Sequence, residues 1–318
     1  MSHASTLTVA IGQVAPLWLN RVKTLEKVMQ AVSEAADRGA GFIAFGETLL
    51  PGYPIWLERT GGAQFNHPAQ KRMQRHYLEQ AVNVERGDLT PLCELAKARK
   101  IAIVIGCAER PDDRGGHSIY CSMVLIGDDG EIKHIHRKLM PTYEERLTWS
   151  VGDGNGLRTH KVGPFTVGAL NCWENWLPLA RAALYGQGEN LHVGIWPGGE
   201  HNTRDTAPFI AKEGRCYSMA ASAILRPSDI PSNTPLFDEI MSDAPAHFSN
   251  GGSCLASPTG EWIISPQVGN EGIFVAEIDF ALVLEERHNF DPAGHYSRPD
   301  VLSLNINRQR QHTLNIVD

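Results

Sequence analysis

The sequence lacks the features that mark membrane-bound, secreted and nucleic-acid-binding proteins. It has no run of about 18 apolar residues, the length that a membrane-crossing helix needs. The first residues, MSHASTLTVAIGQV, do not join a basic segment to an apolar one, so we expect no signal peptide and a cytoplasmic location. Acidic residues outnumber basic ones, 36 to 29, and the net charge of -7 argues against a nucleic-acid partner.

The sequence also lacks the cysteine spacings of a zinc site or a redox pair. Its six cysteines are widely scattered and include no C-x-x-C. Because no signal peptide is expected, we predict that the thiols stay reduced rather than form disulfides. Four of them stand in apolar runs and are interpreted as small core residues: Cys93, Cys107, Cys121 and Cys254.

Several catalytic and cofactor motifs are missing as well. There is no G-x-S-x-G for a serine nucleophile, no H-E-x-x-H for a metal and no dinucleotide fingerprint. The glycines of VGDGNG (151–156) do not make a phosphate-binding loop, so we expect no organic cofactor and no metal. With 13 histidines, counting alone leaves a Cys–His pair open, and His134 and His136 are interpreted as solvated or structural.

What the sequence contains is an alternation of strand-like and helix-like segments. Residues 7–14 predict a strand, and the apolar spacing of residues 20–38 predicts a helix. Further strands are predicted at 41–45, 101–107, 118–126, 131–136, 165–171, 191–196, 217–225, 253–258, 261–266 and 272–279, and further helices at 90–100, 177–186 and 203–216. Interleaved helices and strands followed by hairpins indicate a mixed sheet covered by helices.

This pattern indicates a single α/β domain over residues 1–302. Residues 227–250 are rich in Pro, Ser and Asp and are interpreted as a long surface loop. Residues 303–318 carry little apolar periodicity and are interpreted as a short C-terminal tail.

Three chemically reactive side chains stand at the ends of strand-like runs. Glu47 follows GFIAF, Lys138 follows EIKHIH and Cys172 follows FTVGALN. Sites in open α/β sheets form at the carboxyl ends of strands, so these side chains are candidates for one site. Each has an ordinary alternative when it is taken alone: a loop carboxylate, a solvated lysine and a structural thiol.

Together the three residues supply the parts of a cysteine hydrolase. A cysteine nucleophile needs a base that accepts its proton, which Glu47 offers. The reaction also needs a positive or donor group where negative charge develops, which Lys138 offers. The sequence therefore favours nucleophilic catalysis by Cys172.

Three blocks hold these residues, FGETLLPGYP, HRKLMPTYEER and LNCWENW, and they resemble the nitrilase branch of the carbon–nitrogen hydrolase superfamily. The resemblance runs from VAIGQVAP (9–16) to DPAGHYSRPDV (291–301). It implies that Glu47, Lys138 and Cys172 are catalytic, and it adds Glu145 of the pair Glu145-Arg146. It also implies a four-layer α-β-β-α sandwich and pairing of copies into a homodimer or a larger homo-oligomer.

The resemblance implies hydrolysis of a small-molecule nitrile to a carboxylic acid and ammonia, through a thioimidate and a thioester on Cys172. Candidate substrate-binding residues lie near the catalytic blocks or at a strand end: Tyr53, Trp56, Tyr143, Trp173, His192 and Trp196. Core packing is the alternative for each of them. An aromatic lining would suit aryl or arylalkyl nitriles.

Alternatives stay open within and outside enzymes. An amidase or carbamoylase, or a cyanide-hydrolysing enzyme, would use the same three residues, although C-W-E-N is typical of nitrilases. A catalytically silent binding protein could share the fold. The presence of Glu47, Lys138 and Cys172 together disfavours that last reading.

Overall fold

The computed structural model describes residues 5–312, 314 and 317 of the chain. The strands are β1 (Thr6–Gln13), β2 (Phe42–Phe45), β3 (Ala102–Glu109), β4 (Tyr120–Ile126), β5 (Ile132–Arg137), β6 (Thr159–Val162), β7 (Phe165–Asn171), β8 (Leu191–Trp196), β9 (Tyr217–Ser222), β10 (Ile224–Leu225), β11 (Ser249–Ala256), β12 (Trp262–Val268) and β13 (Gly272–Asp279). The helices are α1 (Arg21–Asp37), α2 (Trp56–Arg59), α3 (Pro68–Gln80), α4 (Thr90–Arg99), α5 (Pro178–Tyr185), α6 (Glu200–Gly214), α7 (Phe237–Met241) and α8 (Phe280–Asn289).

The strands form two mixed sheets. The first sheet has the order β13-β1-β2-β3-β4-β5, and its central pairs β1–β2 and β2–β3 are parallel. The second sheet has the order β10-β11-β9-β8-β7-β6, with β12 paired to β11, and its β7–β8 and β8–β9 pairs are parallel. Parallel strands end at the same edge of a sheet, so each sheet gathers several strand ends at one edge.

The inner faces of the two sheets pack against each other. Successive side chains of a strand point to opposite faces, so Phe42 and Ala44 of β2 enter the core between the sheets. There they meet side chains from the second sheet, among them Val193 and Met219. These buried strands read as continuous apolar runs because both of their faces are covered.

Helices cover the outer face of each sheet. Ile43 and Phe45, the alternate residues of β2, pack with α1 and α4 on the outer side of the first sheet. On the second sheet, Leu170 packs against α5 and Ala220 packs near Ala207 of α6. The molecule is thus an α-β-β-α sandwich, which confirms the fold class predicted from the sequence.

Four helices, α2, α3, α7 and α8, and the strand β6 were not predicted, and the physical reasons differ. Helices α2 and α7, of four and five residues, are too short to show a helical period. Helix α3 buries only Met73 and Tyr77, so its sequence carries too few apolar positions to show a helical period. Helix α8 begins directly after β13 at the N-cap Asp279, with no turn residues between them. Strand β6 has four residues and a mostly polar sequence.

The segment 227–250 is less irregular than its composition indicates. It contains α7, and Ile230 and Ile240 are buried in a cluster with Trp18 and Trp56. The apolar residues 236, 237, 240 and 241 follow helical spacing, but this signal spans only six residues between two prolines. Tertiary contacts therefore reveal that the segment is anchored. Helix α6 also begins at Glu200, earlier than the predicted residue 203.

The described part of the C-terminal tail lies against the rest of the chain. Asn155 Nδ2 donates to the Arg308 carbonyl oxygen at 3.0 Å, and Arg310 Nη1 lies 3.1 Å from Asp153 Oδ1. Positions 313, 315, 316 and 318 of the predicted tail lie outside the described residues. In the part of the chain described, no helix combines the length and the apolar character needed to cross a membrane.

A stacked histidine pair joins the outer edges of the two sheets. The rings of His134 on β5 and His160 on β6 stack with centroids 4.6 Å apart, and His134 is buried. Burial and the positive field of His160, His136 and Arg158 hold the pKa of His134 well below its usual value. His134 and His136 were each expected to be either solvated or structural. Both side chains are buried, which fits the structural role.

We predict that His134 makes the fold acid-sensitive. His134 stays neutral when folded but binds a proton in the unfolded chain below about pH 6.5, so stability falls as pH drops through that value. His134→Phe keeps an aromatic stack without the titration. The loss of unfolding free energy between pH 7 and pH 5, measured by urea denaturation, should shrink by about 2 kcal/mol. The exposed His295→Phe is the control, and equal acid sensitivity of the parent and His134→Phe would contradict the assignment.

Candidate active site

Four reactive side chains from three segments of the chain meet in a buried cluster at the strand ends. Lys138 Nζ lies 2.8 Å from Glu47 Oε1 and 2.8 Å from Glu145 Oε2. A carboxylate oxygen of Glu47, one of Glu145 and the Cys172 sulfur all lie within 4.8 Å of one another. All four side chains are buried, although Glu47 and Cys172 belong to segments that follow different sheets.

The Glu47 segment ties the first sheet to the second. It leaves β2, and the Glu47 backbone N–H donates to the Trp196 carbonyl oxygen at the end of β8 at 3.0 Å. This approach requires glycine at position 46, because a Cβ there would lie 2.8 Å from the Trp196 carbonyl oxygen. Gly106 of β3 makes room on the other side, where a Cβ would lie 2.6 Å from the Glu47 Cα. The carboxylate is thereby held at the end of β8. Strand β8 pairs with β7, and Cys172 directly follows β7.

Lys138 and Glu145 are positioned by backbone contacts and by a capped turn. The Lys138 backbone N–H donates to the Cys121 carbonyl oxygen at 2.8 Å, which extends the β4–β5 pairing by one residue. Glu145 accepts from the Thr142 backbone N–H at 2.6 Å and from the Tyr53 hydroxyl at 2.8 Å. The Glu145 carboxylate is therefore held in place before it meets Lys138.

Cys172 is the first residue of a short 3-10 helix, Cys172–Trp176, that follows β7 directly. Its carbonyl oxygen accepts from Asn175 Nδ2 at 2.7 Å. Glu174 accepts from the Asn171 backbone N–H at 2.8 Å and lies 3.0 Å from His136 Nε2. These contacts fix the turn that presents the thiol.

Each of the three site segments contains a non-glycine residue with a left-handed backbone. The φ angles are 50° at Thr48, 44° at Tyr143 and 48° at Cys172. Such a conformation costs about 1–2 kcal/mol for an L-residue, so surrounding contacts must maintain it. Strained turns at the ends of strands let the chain reverse while the side chain still points into the site.

The cluster holds two carboxylates for one ammonium group. Burial raises the pKa of Glu47 to about 7, against the opposing charge of Lys138 and with the help of the nearby Glu145 carboxylate. Burial by itself lowers the pKa of Lys138, but Cys172, Glu47 and their neighbours outweigh it and hold that pKa well above its ordinary value. Lys138 is therefore charged and Glu47 exchanges its proton near neutral pH.

The nucleophile candidate is protonated in the resting cluster. Burial raises the pKa of the Cys172 thiol well above its ordinary value, and Glu47 raises it further while Lys138 opposes the shift. A thiolate would add a second unbalanced negative charge to a site that already has one. Loss of the thiol proton is thus favoured only when it moves to Glu47 as the sulfur forms a bond.

The donor set of Glu47, Glu145 and Cys172 is one that could hold a metal ion. However, the Lys138 ammonium lies 2.8 Å from each of the two carboxylates and takes the place of a cation between them. A metal would have to displace a buried positive charge. The arrangement fits acid–base and nucleophilic chemistry better than metal binding.

The predicted pocket residues fall in different surroundings. Tyr53 joins the cluster through its bond to Glu145, and Trp196 packs beside Cys172. Trp56 lies in the core between Trp18 and Tyr77. Tyr143 and Trp173 are exposed, at 82% and 53%.

His192 belongs to a buried polar chain behind the nucleophile. Its Nδ1 lies 3.0 Å from Glu189 Oε1, and its Nε2 lies 2.7 Å from Asn175 Oδ1. Asn175 in turn donates to the Cys172 carbonyl oxygen. Both ring nitrogens are therefore occupied, and the contacts of His192 point to support of the Cys172 turn rather than to a pocket wall.

Sequence reasoning missed Asn175, Glu189 and Cys121 as parts of the site. Asn175 stands inside the LNCWENW block, and its short spacing from Cys172 was an available signal. Glu189 and Cys121 gave none. Glu189 looks like an ordinary loop carboxylate, and Cys121 stands in an apolar strand like any small core residue.

The chain is similar in sequence to one described family and to named nitrilases, and similar in fold to a solved amidase structure. A model of the family described as "Carbon-nitrogen hydrolase" matches residues 8–287. A Pseudomonas syringae protein named nitrilase is 34% identical, with 95% of this chain and 90% of that protein covered. Nitrilase 1 of Arabidopsis thaliana is 31% identical, with 100% and 91% covered. The solved structure of a nitrilase-superfamily amidase from Nesterenkonia AN1 shares the fold, with a TM-score of 0.65, 18% identity and 91% and 96% coverage.

We predict that the buried chain behind Cys172 contributes to stability. His192→Phe keeps the ring volume but leaves Glu189 and Asn175 without their partner in the interior. A buried group that loses its partner costs about 1–3 kcal/mol, and more if it is charged, so we expect a loss of about 3 kcal/mol. Urea denaturation measures the loss. The exposed His201→Phe should stay within about 0.5 kcal/mol of the parent, and an unchanged His192→Phe would show that the chain is dispensable.

Proposed function

The chain belongs to the carbon–nitrogen hydrolase family, and from that premise we propose that it is a nitrilase that converts an organic nitrile and two waters to a carboxylic acid and ammonia. The observation that carries the proposal is the buried cluster itself. It places a thiol within 4.8 Å of a carboxylate oxygen of Glu47, the carboxylate that also binds a lysine. The relatives named nitrilase, at 31–34% identity over nearly the whole chain, support the reaction class.

The first half of the reaction forms a covalent bond to Cys172. Glu47 accepts the thiol proton as the sulfur adds to the nitrile carbon, and it then passes that proton to the nitrile nitrogen to give a thioimidate and a regenerated carboxylate. A pKa near 7 suits Glu47 to this role because a base poised near the working pH transfers protons well in both directions.

The second half consumes both waters. One water adds to the thioimidate carbon, and the tetrahedral intermediate breaks its C–N bond to expel ammonia and leave a thioester. A second water, deprotonated by Glu47, attacks the thioester and releases the carboxylic acid, and the sulfur takes back its proton. The same carboxylate therefore serves each proton transfer.

Lys138 and a backbone donor stabilise charge at the reacting carbon. Lys138 Nζ is fixed between two carboxylates, and the Trp173 backbone N–H favours the charged form of the Cys172 sulfur, which lowers the pKa of that thiol. Donors that are already oriented toward developing charge typically contribute about 3–4 kcal/mol each to the transition state. Glu145 binds the same ammonium group at 2.8 Å and keeps Lys138 oriented.

We predict that purified protein releases acid and ammonia from at least one member of a panel of phenylacetonitrile, benzonitrile, a dinitrile and cyanide. Cys172→Ala should lower that rate by more than about a thousandfold, because no other group can form the covalent intermediate. Ammonia release and product chromatography measure both rates. Cys93→Ala is the matched control, because it removes a partly buried thiol on α4 outside the cluster and should keep the parental rate.

The amides of the organic members test the amidase alternative in the same assay. Faster turnover of an amide than of the matching nitrile would place the chain with the amidases. Turnover of cyanide alone would identify a cyanide hydrolase. Nitrile hydrolysis by Cys172→Ala near the parental rate would refute the role of Cys172.

We also infer that copies of the chain associate through the face formed by α5 and α6. Trp176, Leu179 and Phe209 expose 39%, 69% and 44% of their surface there, and the rings of Trp176 and Phe209 stack. A group of exposed apolar side chains on one face is typical of an interface. The pairing through a helical face that the family resemblance implies fits this surface.

We predict that Leu179→Arg shifts the protein toward the monomer in sedimentation velocity, because it places a charge at the centre of that face. Leu284→Arg on α8, also well exposed, should leave the sedimentation coefficient unchanged. A parent that sediments as a monomer would contradict the association, and an oligomer that survives Leu179→Arg would place the interface elsewhere.

A further inference from the structure

A second cysteine contacts both the base and the lysine of the site. The Cys121 thiol lies in β4, is fully buried and donates to Glu47 Oε1 at 3.2 Å. Its backbone carbonyl oxygen accepts from the Lys138 N–H at 2.8 Å. Of the cysteines interpreted as core residues, Cys121 is thus placed within hydrogen-bond distance of the reactive cluster.

The two oxygens of Glu47 have unequal surroundings. Oε1 accepts from Lys138 Nζ at 2.8 Å and from the Cys121 thiol at 3.2 Å. Oε2 is buried and has no hydrogen-bond partner among the described residues. A carboxylate held by two donors on one oxygen keeps the other oxygen free to accept a proton, and the sulfur of Cys172 is close by.

The Cys121 thiol acts as a donor in this contact. Burial raises the pKa of Cys121 well above its ordinary value, and the charge of Glu47 raises it further while Lys138 opposes the shift. The sulfur therefore keeps its proton at neutral pH. An ionised carboxylate only accepts hydrogen bonds, so the proton lies on the sulfur side of the contact.

We propose that Cys121 is a positioning residue that orients the Glu47 carboxylate, so that Oε1 stays on Lys138 and Oε2 stays available to Cys172. The proposal rests on the role of Glu47 as the base in the proposed function. Cys121 itself lies inside a strand and is inaccessible to a substrate, so it acts through Glu47. Glu47 is faced by Lys138 from the end of β5, Glu145 and Tyr53 from the neighbouring turns, Cys172 from the end of β7 and Cys121 from β4.

The test compares variants of Cys121 by the pH profile of kcat/KM. The parental profile should fall on the acid side near pH 7, because protonation of Glu47 removes the base. We call this acid-side fall of the profile its acid limb. Cys121→Ala removes the donor and should move the acid limb to a pH about 0.5–1 unit higher, as the loss of one weak hydrogen bond to a charged group implies. At pH 6 this shift appears as a roughly three- to tenfold loss of kcat/KM.

Two further substitutions separate positioning from packing. Cys121→Ser keeps a donor and should leave the limb at the parental pH or below it. Cys107→Ala removes a fully buried thiol from the neighbouring strand β3 and should leave the limb unchanged, because Cys107 packs on the helix side of the sheet. If Cys121→Ala is not recovered folded, Cys121→Val fills the space without a donor and should show the same upward shift.

A second measurement works without any nitrile. The rate at which iodoacetamide alkylates Cys172, followed by mass spectrometry of its peptide, should show the same limb and the same shifts. It therefore tests Cys121 even if no nitrile of the panel is hydrolysed. If no nitrile is hydrolysed but the pH dependence of alkylation shifts in Cys121→Ala, the result would contradict the proposed substrate and not the role of Cys121. An unmoved limb in a folded Cys121→Ala or Cys121→Val, or an equal shift in Cys107→Ala, would overturn the proposal.

Discussion

The site depends on one interaction, the Lys138 ammonium held between two buried carboxylates. Each N–O distance is 2.8 Å, and all three side chains are almost wholly buried. A buried charge is tolerated only when it is paired and hydrogen-bonded. Burial raises the pKa of Glu47 to about 7, with Lys138 opposing the shift and Glu145 adding to it. Burial, with the charge of Glu47, also keeps Cys172 protonated.

The fold supplies the low dielectric on which this electrostatic balance depends. The two sheets pack face to face and helices cover both outer faces, and the side chains that meet at the strand ends are buried. The Glu47 segment crosses from the first sheet to the end of β8, next to the strand that carries Cys172. Base and nucleophile therefore come from different sheets, and their separation is set by sheet packing and not by a local loop.

Polar groups behind the reacting atoms hold the strained turns in place. The chain from Glu189 through His192 and Asn175 supports the Cys172 carbonyl, and the Thr142 cap with the Tyr53 hydroxyl supports Glu145. Left-handed residues at Thr48, Tyr143 and Cys172 would not persist without such support. The atoms that react are few, and more side chains serve to hold them.

The sequence by itself determined the class of fold and the chemical identity of the reactive groups. Apolar runs and helical spacing set the order of strands and helices, and motif blocks placed Glu47, Lys138 and Cys172 at strand ends. Only the tertiary structure decided which neighbours those groups have. Cys121 and His192 show why: a cysteine in an apolar strand and a histidine at a strand end look alike whether they face a core or a carboxylate. Cys121 meets Glu47 across 74 residues of sequence, and His192 meets Asn175 across 17, so the local composition around each residue does not reveal these contacts.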